Sequence, residues 1–197
     1  MDIPKILLIN GTSEKFLDIP NILKGVDAQV VRIETKSNIV NYSMKNNYAL
    51  IILDEYLSGM TANESIEYFI NSEGTQYTPI ILMSSIPTKD FYKLPCVHKG
   101  SIDFIQKPVP KKIFLCKVKL FLQMYKTSIA LQKSRKTLYV SQKIAHVGNW
   151  EWDIAQNKYT LSEELRRIYG IKNTEKNRDL KELNRKRVHP DDKKAFE

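Results

Sequence analysis

The chain is 197 residues long and 42% hydrophobic, with a formal net charge of +9, a length that allows one domain and part of another. No apolar stretch reaches about 18 residues, so no membrane span is expected; Met1-Asp2-Ile3-Pro4 lacks the basic region and apolar core of a signal peptide, and a cytoplasmic protein is expected. Residues 111–150 hold nine lysines and arginines and no acid; with no DNA-reading motif beside it, this charge reads as a solvated helix face, and a nucleic-acid partner is not expected.

From Lys5 to about Lys107, strand-like and helix-like runs alternate. The first strand, near 5–10, is Lys5-Ile6-Leu7-Leu8-Ile9 and runs into Asn10-Gly11. A helix over about 13–24, a strand near 28–33 and a helix over about 36–46 follow. Ala49-Leu50-Ile51-Ile52-Leu53 is the third strand and ends in Asp54. Thr61-Ala62-Asn63-Glu64 has the form of a capping box that opens a helix over about 61–72. Pro79-Ile80-Ile81-Leu82-Met83 is the fourth strand and ends in Ser84. In the next helix, about 88–98, Pro95 is expected to break or end the run, because proline removes a donor and clashes with the preceding turn. Asp103-Phe104-Ile105-Gln106, less apolar than the others, is the last strand and ends in Lys107-Pro108.

Apolar runs of this length suit strands buried on both faces of a parallel sheet. Their alternation with helices predicts an α/β fold, a doubly wound five-stranded parallel sheet. In such a sheet the site lies beyond the carboxyl ends of the strands. A carboxylate (Asp54), a hydroxyl (Ser84) and an ammonium (Lys107) are therefore expected to converge from separate strands.

After Pro108 and Pro110, the stretch from Lys111 to about Ala145 has no Gly or Pro. It predicts one helix of about 35 residues, roughly 52 Å long. Met124, Leu131, Leu138 and Ala145 recur every seven residues, while the complementary core positions are often polar (Ser128, Arg135, Gln142). A homodimer through residues 111–145 is the expected use of this stripe. Beyond it, Trp150 and Trp152 alternate with polar residues as in a half-buried strand, with Asn157-Lys158-Tyr159-Thr160-Leu161 as hairpin partner. Ser162-Glu163-Glu164-Leu165-Arg166-Arg167-Ile168-Tyr169-Gly170 carries an N-cap serine, early acids, late arginines and a closing glycine, a short helix. Cys96 and Cys116 have no metal-ligand spacing and read as buried or idle thiols in a reducing compartment.

Residues 1–125 resemble a response-regulator receiver domain, a flavodoxin-like fold. Asp54 falls at the family's phospho-accepting aspartate. Tyr56-Leu57-Ser58-Gly59-Met60 is similar to the loop that follows it, with Ser58 in place of the usual proline. Ser84 matches the family's Ser/Thr, Phe104 its switch aromatic, and Lys107-Pro108 its Lys-Pro, often a cis bond. The resemblance implies that Asp54 attacks a phosphohistidine donor, Lys107 and Ser84 hold the new phosphate, and Phe104 rotates with the switch. It implies a histidine kinase or other signalling protein as partner.

The resemblance breaks at Asn10-Gly11. The family has two adjacent acids there, which hold Mg²⁺ together with the phospho-accepting aspartate. Only a weak Mg²⁺ site of Asp54 and Asn10 is expected. Glu14 and Glu55 are the candidate substitutes for the missing acids, though neither matches the family's ligand positions. A second reading is therefore a degenerate receiver, a docking module that works without phosphorylation. A third, from another class, is a flavodoxin-like cofactor binder, with slight support from Asn10-Gly11-Thr12-Ser13 as a phosphate-cradling loop.

Residues 146–197 resemble the start of a PAS domain, on Ala145-His146-Val147-Gly148-Asn149-Trp150-Glu151-Trp152-Asp153, Ser162-Glu163-Glu164-Leu165, Arg167-Ile168-Tyr169-Gly170 and Val188-His189-Pro190-Asp191-Asp192. The later helix and strands of such a domain are absent, and the resemblance leaves its ligand unspecified. The expected organisation is a receiver domain at 1–125, a signalling helix at 126–145 that continues the last receiver helix, and a truncated PAS domain at 146–197. No kinase histidine box, nucleotide-binding kinase motif or cyclase motif is present, so no catalytic domain is expected here. By resemblance, the parent protein is a sensor histidine kinase or another multidomain regulator.

Overall fold

The computed structural model describes residues 3–9, 19–33, 47–57, 60–85, 102–171 and 189–192. The expected helices at 36–46 and 88–98, the first part of the one at 13–24, and Asn10, Gly11, Ser58, Gly59, Pro95 and Cys96 lie outside the described residues. The chain divides into two compact units, Met1–Ile129 and Ala130–Glu197.

The first unit holds β1 (Lys5–Ile9), α1 (Ile19–Leu23), β2 (Gln29–Ile33), β3 (Leu50–Asp54), a small hairpin of β4 (Tyr56–Leu57) and β5 (Met60–Thr61), α2 (Ala62–Asn71), β6 (Ile80–Ser84) and β7 (Ile102–Gln106). Five strands form one sheet in the order β2-β1-β3-β6-β7. Every pairing is parallel. The strands match the expected ones to within a residue or two. The hairpin β4–β5 was not expected; the sequence there reads only as a turn.

Strand alternation explains why the central runs are apolar throughout. Ile6, Leu8, Leu50, Ile52, Ile81 and Met83 point to one face, where Ile19 and Leu23 of α1 and Phe114 and Val118 pack on them. Leu7, Ile9, Ile51, Leu53, Ile80 and Leu82 point to the other, against Ile66 and Phe69 of α2. Successive side chains alternate between faces, so a strand covered on both sides needs apolar residues at every position. The edge strands β2 and β7 are only partly buried, which is why the last strand is less apolar in sequence.

The helix α2 opens as its sequence requires. The Thr61 side chain accepts from the Glu64 N–H at 3.2 Å, and the Glu64 carboxylate accepts from the Thr61 N–H at 2.8 Å. Each bond satisfies an N–H that the helix itself leaves open.

A third helix, α3, runs without interruption from Lys111 to Ala145, 35 residues. Its first part belongs to the first unit, where Phe114, Val118, Phe121 and Leu122 are buried in the core. Burial of such side chains contributes about 1.5–3 kcal/mol each. Lys117 pairs with Asp103 of β7 at 2.5 Å, and Lys126 with Asp27 at 2.6 Å. Cys116 is exposed on this helix rather than buried. Farther along, Leu131 and Leu138 are more than half exposed. The helix ends where His146 takes a left-handed conformation, φ 52°.

In the second unit, β8 (Trp150–Asp153) and β9 (Lys158–Leu161) form an antiparallel hairpin. Trp152 and Tyr159 face each other across it and stack, with ring centroids 5.5 Å apart. A fourth helix, α4 (Glu163–Ile168), is capped by Ser162, whose hydroxyl accepts from the Leu165 N–H. Gly170 follows it at φ 63°, a conformation that suits glycine at a helix end. Trp150, Trp152 and Ile168 are exposed, whereas Leu165 is 8% exposed. The reason is Gly148: a β-carbon there would lie 2.5 Å from the Leu165 Cβ. Glycine lets the chain after α3 close over Leu165. His189 sits in a 3₁₀ turn at Pro190–Asp192, its carbonyl accepting from the Asp192 N–H.

Candidate functional site

Three strand ends build the site. Asp54 is the last residue of β3, Ser84 the last of β6, and Lys107 follows β7 directly. Parallel register brings them level. Asp54 lies opposite Met83, and Ser84 opposite Gln106. The ladder continues past the strands: the Glu55 N–H donates to the Met83 carbonyl at 3.0 Å, and the Lys107 N–H to the Ser84 carbonyl at 2.7 Å. The peptide bond between Lys107 and Pro108 is cis.

The Lys107 ammonium donates to Asp54 Oδ1 at 2.5 Å. This pair is taken out of water, with side chains 4% and 0% exposed. A buried carboxylate is stable only when paired and hydrogen-bonded, and Lys107 meets that need.

Ser84 turns toward Glu55. Its hydroxyl donates a short hydrogen bond to Glu55 Oε2. The Ser85 N–H donates to Glu55 Oε1 at 2.7 Å, and the Lys107 ammonium lies 3.9 Å from the same oxygen. Burial pushes the Glu55 carboxyl up, but the Ser84 hydroxyl, the Ser85 backbone and side chain, and the Lys107 charge together hold it below the ordinary glutamate value of 4.5. The site is thus two carboxylates around one ammonium, with a hydroxyl and a backbone N–H on the second carboxylate.

Asp54, Ser84 and Lys107 come together as expected. Phe104 is half-buried in β7 and packs against the core on the α2 face. Asn10 lies outside the described residues. Glu55 is the residue whose role sequence reasoning missed; it was weighed only as a substitute metal ligand. The available signal was the Asp-Glu doublet at a strand end, where both residues reach the space beyond the sheet.

The residues present do not fit a resident Mg²⁺. Such an ion takes carboxylates in near-octahedral geometry. Here Asp54 Oδ1 is held by Lys107, and Glu55 by Ser84 and Ser85. The sequence offers Asn10 and Gly11 in place of further acids. Among the described residues, no group of three His, Cys, Asp or Glu is placed to hold a metal.

No family model and no curated protein matches the chain. Solved structures do. The receiver domain of a sensor histidine kinase from Pseudomonas aeruginosa, with magnesium coordinated in its active-site cleft, is 16% identical, with a TM-score of 0.54 over 62% of this chain and 99% of that one. The signal receiver domain of a LuxO-type repressor from Vibrio parahaemolyticus gives 21% and 0.57, over 66% and 98%. A two-component response regulator from Clostridium difficile gives 25% and 0.52, over 61% and 96%. The fold is that of a receiver domain. In these three the likeness spans 61–66% of this chain. Among the described residues, no helix is long and apolar enough to cross a membrane.

Proposed function

We propose that the first unit is the receiver module of a two-component signalling protein and that Asp54 is its phosphoacceptor. The observation that carries this reading is the buried Asp54–Lys107 pair, which joins the ends of β3 and β7 across the intervening β6, where Ser84 sits. An Asp54 carboxylate oxygen attacks the phosphorus of a phosphohistidine. The new O–P bond forms as the N–P bond breaks, and the imidazole nitrogen leaves with the electron pair. Lys107 neutralises charge on the phosphoryl oxygens, the stabilisation such a transfer depends on. A partner histidine kinase is the natural donor.

The test is labelling with acetyl phosphate or a phosphohistidine donor, with and without Mg²⁺. The wild-type chain gains label that hydroxylamine removes, as it does from an acyl phosphate, and Asp54→Asn does not. Label that survives in Asp54→Asn refutes the assignment.

A second reading has its own support. Asn10-Gly11 withholds two carboxylates, and Glu55 engages the donors Ser84 and Ser85. Both favour a docking module that binds its partner unphosphorylated. Absence of label in every chain, with partner binding retained, decides for it.

We further propose that α3 couples this module to a PAS-type segment at 146–197. The hairpin β8–β9 and the capped helix α4 support that reading. A flavin-binding role is tested by the colour of the purified protein, which is expected to be absent.

A further inference from the structure

We propose that Glu55 is a built-in occupant of the oxyanion cradle beside Asp54, an autoinhibitory contact that an incoming phosphoryl group must displace. The inference deepens the acceptor reading of Asp54 and rests on it for its regulatory meaning.

Three donors define the cradle: the Ser84 hydroxyl, the Ser85 N–H and the Lys107 ammonium. They meet on one carboxylate. Glu55 Oε2 takes the hydroxyl; Oε1 takes the Ser85 N–H at 2.7 Å and lies 3.9 Å from Lys107 Nζ. A hydroxyl, a backbone N–H and a cation arranged around two oxygens of one anion suit a phosphoryl group as well as a carboxylate. The same ammonium holds Asp54, so the cradle adjoins the oxygen on which a phosphoryl group is to be placed.

Occupancy by Glu55 is strong because it is intramolecular. Glu55 is the next residue after Asp54, and a tethered group competes at an effective concentration that free ligands seldom match. Its side chain is 6% exposed, so the contact is seated rather than grazing. A phosphoryl group on Asp54 brings at least one more negative charge within a few ångströms of it, and like charges at that range repel. Glu55 and a phosphoryl group therefore exclude each other. Departure of Glu55 withdraws its carboxylate from the Ser84 hydroxyl and the Ser85 N–H together, at the end of β6.

The test uses the whole isotope-labelled chain as wild type, Glu55→Ala and Glu55→Gln. Inorganic phosphate is titrated in, and the amide signals of Ser84, Ser85 and Lys107 are followed by NMR. Glu55→Ala is expected to give a saturable shift at a phosphate concentration roughly tenfold or more below that needed by the wild type, since a like charge has left the cradle. Glu55→Gln keeps the shape without the charge and is expected to fall between the two. Sheet amides away from the site report the fold; if Glu55→Ala loses it, Glu55→Gln carries the comparison. Equal responses in wild type and variants overturn the proposal. So does the lack of saturation in both variants, because an emptied cradle then holds no oxyanion. Acetyl phosphate labelling of the same chains forms the second arm. Phosphate bound in Glu55→Ala with no chain labelled at Asp54 supports the cradle and overturns the acceptor reading instead.

Discussion

Replacing Lys107 by Ala is expected to cost far more stability than replacing Asp54 by Asn. The reason lies in what each change leaves behind. Without Lys107, the Asp54 carboxylate stays in a place with 0% exposure and has lost its cation. Breaking a buried pair in this way costs about 3–5 kcal/mol. Without the Asp54 charge, Lys107 still has Glu55 at 3.9 Å, and the amide of Asn can accept from it, so the loss is about 1–2 kcal/mol. The double variant Asp54→Asn with Lys107→Ala removes the Asp54 charge along with its cation and leaves only Glu55, which keeps its bonds from Ser84 and Ser85. It is expected to be more stable than Lys107→Ala alone, with a coupling of about 1–3 kcal/mol. With an m-value of about 2 kcal/mol/M in urea, Lys107→Ala lowers the midpoint by roughly 1.5–2.5 M. Both tryptophans, Trp150 and Trp152, lie in the second unit, so their fluorescence does not report on this site. Hydrogen exchange at the amides of Leu53 and Met83, both wholly buried, does. A loss below about 1 kcal/mol for Lys107→Ala, or a double variant no better than that single one, refutes the claim that the pair is desolvated.

Three further outcomes follow from the second unit and the long helix. Gly148→Ala drives a β-carbon to 2.5 Å from Leu165 Cβ and is expected to destabilise this unit by about 1–3 kcal/mol, read by tryptophan fluorescence. The Arg167 guanidinium, which bonds the buried Glu164 at 2.8 and 2.5 Å, holds that carboxyl below its ordinary 4.5. A depressed carboxyl stabilises the fold above the unfolded value and ceases to as pH falls through the folded one. Acid titration is therefore expected to loosen the second unit below about pH 4.5, and Glu164→Gln to flatten that response, as followed by near-ultraviolet circular dichroism. Leu131 and Leu138 are exposed on a helix whose 111–150 stretch has nine basic residues and no acid. Weak dimerisation that strengthens with salt is expected, because the repulsion is screened within about 8–10 Å; sedimentation showing a dimer that salt dissociates counts against it.

Much of the first unit was legible because burial on both faces leaves a sequence mark. Leu50 to Leu53 and Ile80 to Met83 are apolar at every position, as a strand covered on both faces requires. The capping box at Thr61 and Glu64 and the long helix without Gly or Pro were equally plain, since both depend on neighbours in sequence. Asp54, Ser84 and Lys107 were found because topology brings parallel strand ends together. Glu55 was missed because its role depends on which donors reach it in space. Spacing along the chain does not encode that Ser84 turns toward Glu55, 29 residues away. The burial of Leu165 is hidden for a related reason: its cover comes from the close approach of Gly148, and a single glycine in sequence does not name what it touches.

The central claim is that Asp54 accepts a phosphoryl group. Borohydride reduces an acyl phosphate to an alcohol and so marks the acceptor permanently. The chain is treated with acetyl phosphate, reduced, digested and sequenced by mass spectrometry. The account predicts one modified position, residue 54, with more of it in Glu55→Gln than in the wild type. Modification at Glu55, or phosphate found as an ester on Ser84 with Asp54 untouched, contradicts it.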